Sequence, residues 1–173
     1  MKFEIKKIDD IENCKVIYYD FFSDKRGKLW STYTNSLFES LAVKQLNGFS
    51  HDKFSTSKKR VLRGFHGDFS TWKLVTCLQG RIQQVIFDNR VNSPTYKNSK
   101  SWIIDHNKPF SVLIPPGVLN AFCVLSEMAL YHYKLAYTGH YKDFDEQISL
   151  KWNDPQINVN WLVKKPILSN RDQ

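Results

Sequence analysis

The chain has 173 residues, a formal charge of +8 at pH 7, and 42% apolar and 14% aromatic content. Those values describe one folded domain, residues 1–173, large enough for a proper core, and exclude a disordered chain. No apolar run approaches the roughly 20 residues of a membrane-spanning helix, and the start Met1–Lys7 lacks the apolar core of a secretory signal, so the expected compartment is the cytoplasm.

The positive balance favours acidic partners, but dense basic blocks are few. Lys58-Lys59-Arg60 is the strongest, with Lys6-Lys7 and Lys164-Lys165 as lesser pairs. Diffuse charge with isolated arginines near glycines suits a phosphate pocket better than a nucleic-acid arm or a membrane surface. Cys14, Cys77 and Cys123 lack the short spacing of a zinc or redox motif and read as buried reduced thiols.

In chain order, Lys15–Tyr19 is a β-like run, and Asp24-Lys25-Arg26-Gly27 is a turn leading into Lys28–Tyr33. Asn35 to Leu46 is the best helix candidate: Leu37, Phe38, Leu41, Ala42 and Leu46 follow three- and four-residue steps, with Asn35 or Ser36 as cap. From Gly48 onward the pattern is strand. His51–Ser57 is a polar edge segment, and Lys73–Leu78 with Ile82–Asp88 reads as a hairpin about Gln79-Gly80-Arg81. Ser101–Ile104, Phe110–Ile114, Ala121–Leu125 and Leu130–Tyr137 follow, divided by turns at Asn92–Thr95 and Pro115-Pro116-Gly117. After Tyr141 the chain turns polar and irregular, with a turn at Trp152–Pro155. Short strands with regular turn signals predict an antiparallel barrel or sandwich of jelly-roll type.

The chemistry concentrates in Arg60–Asp68 and Trp72–Val75. His66 stands between Gly64 and Gly67, with Arg63 before it and Lys73 after it. An imidazole titrates near neutrality and suits proton transfer, and two fixed cations suit an anionic substrate. A hydrogen-bonded structural histidine is the alternative. Strict strand alternation would put Arg63 and His66 on opposite faces, so a shared pocket requires a bulge or bend at Gly64.

Several motifs arrive in an ordered series: Val61–His66, Lys73-Leu74-Val75, Asp88-Asn89-Arg90, Ser93-Pro94-Thr95, Pro115-Pro116-Gly117, Val124-Leu125-Ser126, Tyr133-Lys134, Trp152–Pro155 and Leu168–Asp172. Together they resemble the dTDP-4-dehydrorhamnose 3,5-epimerase family, from Asp24 to Asp172. The resemblance implies an all-β cupin jelly roll with a few short peripheral helices, needing neither metal nor cofactor. It also implies a two-fold dimer acting on a nucleotide-linked 4-keto-6-deoxy sugar. The residues agree on the metal: a metal cupin needs two histidines one residue apart, whereas His66 has Gly64 and Asp68 at those positions.

By the same resemblance His66 matches the general base and Asp172 the carboxylate that orients it. Lys73 matches the cation beside the sugar carbonyl, and Tyr133 the acid on the opposite face. Tyr141 matches a second tyrosine of the sugar pocket, and Arg63 a diphosphate ligand. Arg26 matches an arginine of the N-terminal segment that reaches the partner subunit's diphosphate. Inversion needs a proton taken from one face and returned to the other, hence two groups, while a cation stabilises the intermediate enolate.

Four departures set this chain apart. The loop from His66 to Lys73 is short, Asn120 replaces a histidine near the phosphates, Arg60 replaces a glycine, and His51-Asp52-Lys53-Phe54 replaces Gln-Asp-Asn-His in a sugar-facing segment, which makes His51 and Lys53 candidate contacts. These features resemble epimerases of GDP-linked 6-deoxy-4-keto-heptoses in bacterial capsule pathways. A sugar-nucleotide 3,4-ketoisomerase and a non-catalytic nucleotide- or carbohydrate-binding module are the competing classes.

Overall fold

A computed structural model describes residues 2–43 and 48–173. Among the described residues, thirteen strands occupy Phe3–Lys7 (β1), Lys15–Tyr19 (β2), Phe22–Asp24 (β3), Gly27–Leu29 (β4), His51–Lys58 (β5), Leu62–Gly67 (β6), Trp72–Gln79 (β7), Arg81–Asp88 (β8), Ser99–Asp105 (β9), Phe110–Ile114 (β10), Val118–Val124 (β11), Met128–Ala136 (β12) and Ile148–Ser149 (β13). One antiparallel sheet runs β1-β2-β10-β7-β12-β5 and a second runs β13-β6-β11-β8-β9, while β3 and β4 form a separate hairpin.

Alternation along the strands builds three apolar layers. Val75, Cys77, Val112, Ile82, Ile86, Phe122 and Tyr131 point inward from both sheets and form the central core. On the outer face of the first sheet, Ile17, Leu74 and Leu113 pack under a helix, Asn35–Leu41 (α1), through Leu37 and Leu41. The outer face of the second sheet carries Leu62, Phe65, Val85 and Leu119, which the C-terminal segment covers with Ile157 and Trp161. All three cysteines are buried and free. Among the described residues no helix is long and apolar enough to cross a membrane.

Two local expectations change. The helix spans Asn35–Leu41 rather than running to Leu46, which lies outside the described residues. Thr34, not Asn35 or Ser36, is its cap, its hydroxyl accepting from Leu37 N at 3.1 Å. Ala42 then takes a left-handed φ of +57°, which ends the helix. The expected hairpin of β7 with β8 does not form: β7 pairs with β10 and β12, whereas β8 pairs with β11 and β9. The turn at Gly80 instead carries the chain from one sheet to the other. A Cβ at Gly80 would strike the Met128 carbonyl and sit 2.6 Å from Ser126 Oγ, so the crossing packs tightly against the segment entering β12. Local turn chemistry signals a reversal but not which sheet receives the returning strand.

Candidate active site

At one end of the sandwich the inward-facing apolar residues give way to polar ones, and a cavity of about 250 Å³ opens. The first sheet contributes Lys53 and Ser55 from β5, Lys73 from β7, and Tyr133 and Leu135 from β12; the second contributes Arg63 and His66 from β6 and Asn120 from β11. Tyr141, Asp143, Phe144 and Gln147 close one side, and Ser169, Arg171 and Asp172 another.

Arg63 and His66 share the cavity because β6 is bulged. His66 pairs with Asn120 and Arg63 with Phe122, so three steps on β6 face two on β11. Gly64 sits within the bulge at φ +112°, and a Cβ there would come within 2.7 Å of Ala121 Cα. Only glycine permits both that backbone and that approach. The bulge sends Leu62 and Phe65 outward into the apolar layer and turns the two polar side chains inward.

His66 Nε2 lies 2.8 Å from Asp172 Oδ1, close enough to pair charges although the ring N–H is not aimed at that oxygen. Asp172, next to the last residue, is only 3% exposed. Its Oδ1 also accepts from Gly64 N at 3.3 Å, and its Oδ2 accepts from Ser169 Oγ at 2.7 Å. The carboxylate thus anchors the chain end to the bulge and turns Nδ1 away from itself. Burial draws the imidazole below its ordinary 6.5, Asp172 opposes that, and Arg171 and Lys73 reinforce it. At neutral pH the ring is neutral, the form that accepts a proton.

Lys73 is 5% exposed, and its Nζ donates to the His66 carbonyl at 3.0 Å. Burial lowers its ammonium to about 8, with Asp68 resisting and Arg171 and Lys53 adding to the fall. Tyr133 behaves oppositely: burial pushes its phenol up to about 12 against the pull of Arg63, so it keeps its proton. Its ring is held edge-on by Tyr131, whose hydroxyl donates to Gln84 Oε1 at 2.6 Å. Asn120 Oδ1 accepts from Gln84 Nε2 at 2.6 Å, which fixes the side chain in the cavity wall. A neutral base, a protonated acid and a cation therefore meet in one cavity, base and acid carried by different sheets.

Of the residues singled out in the sequence, His66, Tyr133, Lys73, Asp172, Arg63, Lys53, Asn120 and Tyr141 line the cavity. His51 does not; its ring stands behind Tyr141, edge-on at 4.8 Å between centroids. Arg26 lies on the β3–β4 hairpin, paired with Asp24 and 79% exposed, away from this cavity. Sequence reading passed over Asp143, Phe144, Gln147 and Arg171. Arg171 adjoins Asp172 in a motif already noticed, but the other three lie in a stretch legible only as irregular. They are tied down together: Lys53 Nζ meets Asp143 Oδ1 at 3.0 Å, the Arg171 guanidinium lies 4.5 Å over the Phe144 ring, and Gln147 Nε2 donates to Lys142 O at 2.9 Å. No His, Cys, Asp or Glu group among the described residues is arranged to hold a metal ion.

The sequence model of the family described as dTDP-4-dehydrorhamnose 3,5-epimerase matches residues 9–173. The chain belongs to that family. It is therefore an epimerase, an enzyme of the isomerase class, on a cupin jelly roll. A dTDP-4-dehydrorhamnose 3,5-epimerase of Salmonella typhimurium is 35% identical over 155 residues, covering 87% of this chain and 82% of that one. A dTDP-6-deoxy-D-glucose-3,5-epimerase of Legionella pneumophila, solved with dTDP-4-keto-L-rhamnose, superposes with a TM-score of 0.89 at 30% identity, covering 99% of this chain and 90% of that one. A 4-keto-6-deoxy sugar epimerase of Streptomyces spheroides matches with the same TM-score of 0.89 at 27% identity, over 99% and 85% of the two chains.

Proposed function

We propose that this cavity inverts carbon 3, carbon 5 or both in a nucleoside-diphosphate-linked 4-keto-6-deoxy sugar. The single observation that carries the reading is the neutral imidazole and the protonated phenol on different sheets of one cavity, with a buried ammonium beside them. His66, through Nδ1, takes the proton from the carbon next to the ketone. The C–H electrons form the C=C bond of the enolate, the carbonyl π electrons move to the oxygen, and Lys73 stabilises that charge as it develops. Tyr133 then delivers its proton to the other face of that carbon and the ketone re-forms. Solvent afterwards restores the phenol and the neutral ring.

Arg63, Lys53 and Arg171 supply positive charge for the diphosphate, with Asn120 and Tyr141 as further contacts. The Legionella relative was solved with a dTDP-linked sugar and the Salmonella relative is named for one, so a dTDP-linked hexose is one candidate substrate. His51–Phe54, Arg60, Asn120 and the short loop to Lys73 support the other, a GDP-linked heptose of a surface-polysaccharide pathway. A homodimer belongs to the same reading. Phe22 and Leu29, 57% and 61% exposed beside Arg26, give the hairpin an apolar face suited to a second copy, with Arg26 reaching the neighbour's diphosphate.

Two measurements test this. Thermal unfolding with dTDP or GDP should show one nucleotide raising the melting temperature more than the other. Incubating the matching 4-keto-6-deoxy sugar in deuterated buffer should exchange two carbon-bound positions for a double epimerase and one for a single epimerase. No exchange, or a carbonyl moved to carbon 3, would overturn the reading in favour of a binding module or a ketoisomerase respectively.

A further inference from the structure

On β8 the residues facing the central core are Ile82 and Ile86, and between them, at the same two-residue step, stands Gln84. It is fully buried. Its Nε2 donates to the Val85 carbonyl at 3.1 Å and to Asn120 Oδ1 at 2.6 Å, and its Oε1 accepts from the Tyr131 hydroxyl at 2.6 Å. Both N–H groups and the oxygen are thus engaged. An amide in an apolar row costs stability unless it is bonded in this way, and an aliphatic side chain of similar length would fill the space with no such demand. The proposed reaction does not use Gln84, which lies behind the cavity wall rather than in it.

The partners fix which way each amide points. A main-chain carbonyl only accepts, so the Gln84 atom beside Val85 O is the nitrogen. That nitrogen's other proton meets Asn120, so the near atom of Asn120 is its oxygen. Burial holds the Tyr131 phenol well above its ordinary 10, so the hydroxyl keeps its proton for the Gln84 oxygen. The same hydroxyl lies 3.3 Å from Asn120 Oδ1. With Oδ1 committed to the interior, Asn120 Nδ2 turns to the cavity and makes no hydrogen bond among the described residues. Asn120 is the register partner of His66, a relation that sets cross-strand Cβ atoms about 5 Å apart. Two uncharged N–H donors therefore stand beside the base. Of the three side chains in the network, only Asn120 reaches the cavity.

We infer that Gln84 is a positioning residue for Asn120: it locks that amide so that its nitrogen, and not its oxygen, faces the substrate and donates to a substrate oxygen held beside His66. The inference rests on the contact proposed for Asn120 and extends it to a residue outside the cavity. The developing enolate charge is met by Lys73, so the oxygen taken by the neutral amide is one whose charge does not change. Without the Gln84 N–H the asparagine can turn over, and its oxygen would then meet a substrate oxygen as one acceptor meets another.

The test is a double-mutant cycle on deuterium exchange into whichever dTDP- or GDP-linked 4-keto-6-deoxy sugar the wild-type enzyme exchanges. Rates are taken per folded molecule for wild type, Gln84→Met, Asn120→Ala and the double variant. Methionine keeps the length of the side chain and removes the amide. Q84M should lose about 3- to 10-fold in kcat/KM, the worth of one ordinary hydrogen bond, and mainly through KM. N120A should lose at least as much, and adding Q84M to it should cost nothing further. An equal loss from Q84M in both backgrounds would overturn the inference, because a residue acting through core packing or through Tyr131 costs the same whether or not Asn120 is present. No loss from Q84M in the wild-type background would overturn it too. If Q84M does not fold, Gln84→Leu, closer in shape to its neighbours Ile82 and Ile86, takes its place with the same expected cycle. The claims separate cleanly. Wild-type kcat/KM in N120A would remove Asn120 as a contact, and no exchange by wild type with either nucleotide would remove the functional reading. An additive cycle in an exchanging enzyme would remove only the part given to Gln84.

Discussion

Two buried ionic clusters in this molecule are built from similar side chains and do opposite things. Asp88 is fully buried, and it accepts from Arg90 N, Nε and Nη2 at 2.8–3.0 Å, from Ser93 Oγ at 2.6 Å and from Thr95 Oγ1 at 2.7 Å. Burial alone would raise its carboxyl, but those donors hold it at about 2. Every charge there has a partner, so the cluster is locked in one protonation state and fastens the turn after β8. In the cavity, burial is compensated only in part. His66 and Lys73 drift down and Tyr133 drifts up, which places base, cation and acid in the protonation states that exchange needs. Complete pairing makes a staple; incomplete pairing makes a reactive site.

That contrast can be broken by removing charges on either side. The largest effect is expected for Lys73→Met, which should lower turnover ~10²- to 10³-fold with melting temperature little changed or raised, since the lost group is a buried, underpaired cation. Asp88→Asn should do the reverse, costing about 2 kcal/mol of stability while leaving the rate per folded molecule unchanged. Because Asp88 has a depressed carboxyl, its contribution is present above pH ~4 and should fade as pH falls toward 2, visible in urea unfolding. A smaller change, about 10-fold in rate, is expected for Asp172→Asn. Losing the carboxylate that opposes burial should push the His66 acid limb further below the ordinary histidine value, read from the pH profile of kcat/KM. Least of all, Asp143→Asn should tighten nucleoside-diphosphate binding about 2- to 5-fold by calorimetry. It frees Lys53 from a rim pair whose side chains are 43% and 67% exposed, and such pairs are worth under ~1 kcal/mol.

Much of this was legible in the chain. The alternation of apolar residues forecast strands and the sandwich, and Gly64 marked the bulge as the condition for Arg63 and His66 to share a pocket; the register of β6 against β11 meets that condition. Gly80 shows the limit, because a glycine turn looks the same whether the chain doubles back in one sheet or crosses to the other. Thr34 was overlooked as cap because Asn35 and Ser36 are capping types too, and backbone geometry chose among three adjacent candidates. Asp143, Phe144 and Gln147 carry no periodicity, since a loop is placed by what it touches and not by its own repeat. Asp68 was visible only as the residue that breaks a metal-binding pattern.

The central claim is that His66 removes the proton and Tyr133, on the other sheet, returns it. Deuterium incorporation and sugar configuration, followed by NMR in the same tube for wild type, His66→Ala and Tyr133→Phe, address it directly. The account predicts at least ~10²-fold slower exchange in H66A, and exchange without inversion in Y133F. Exchange at the wild-type rate in H66A, or normal inversion in Y133F, would contradict it.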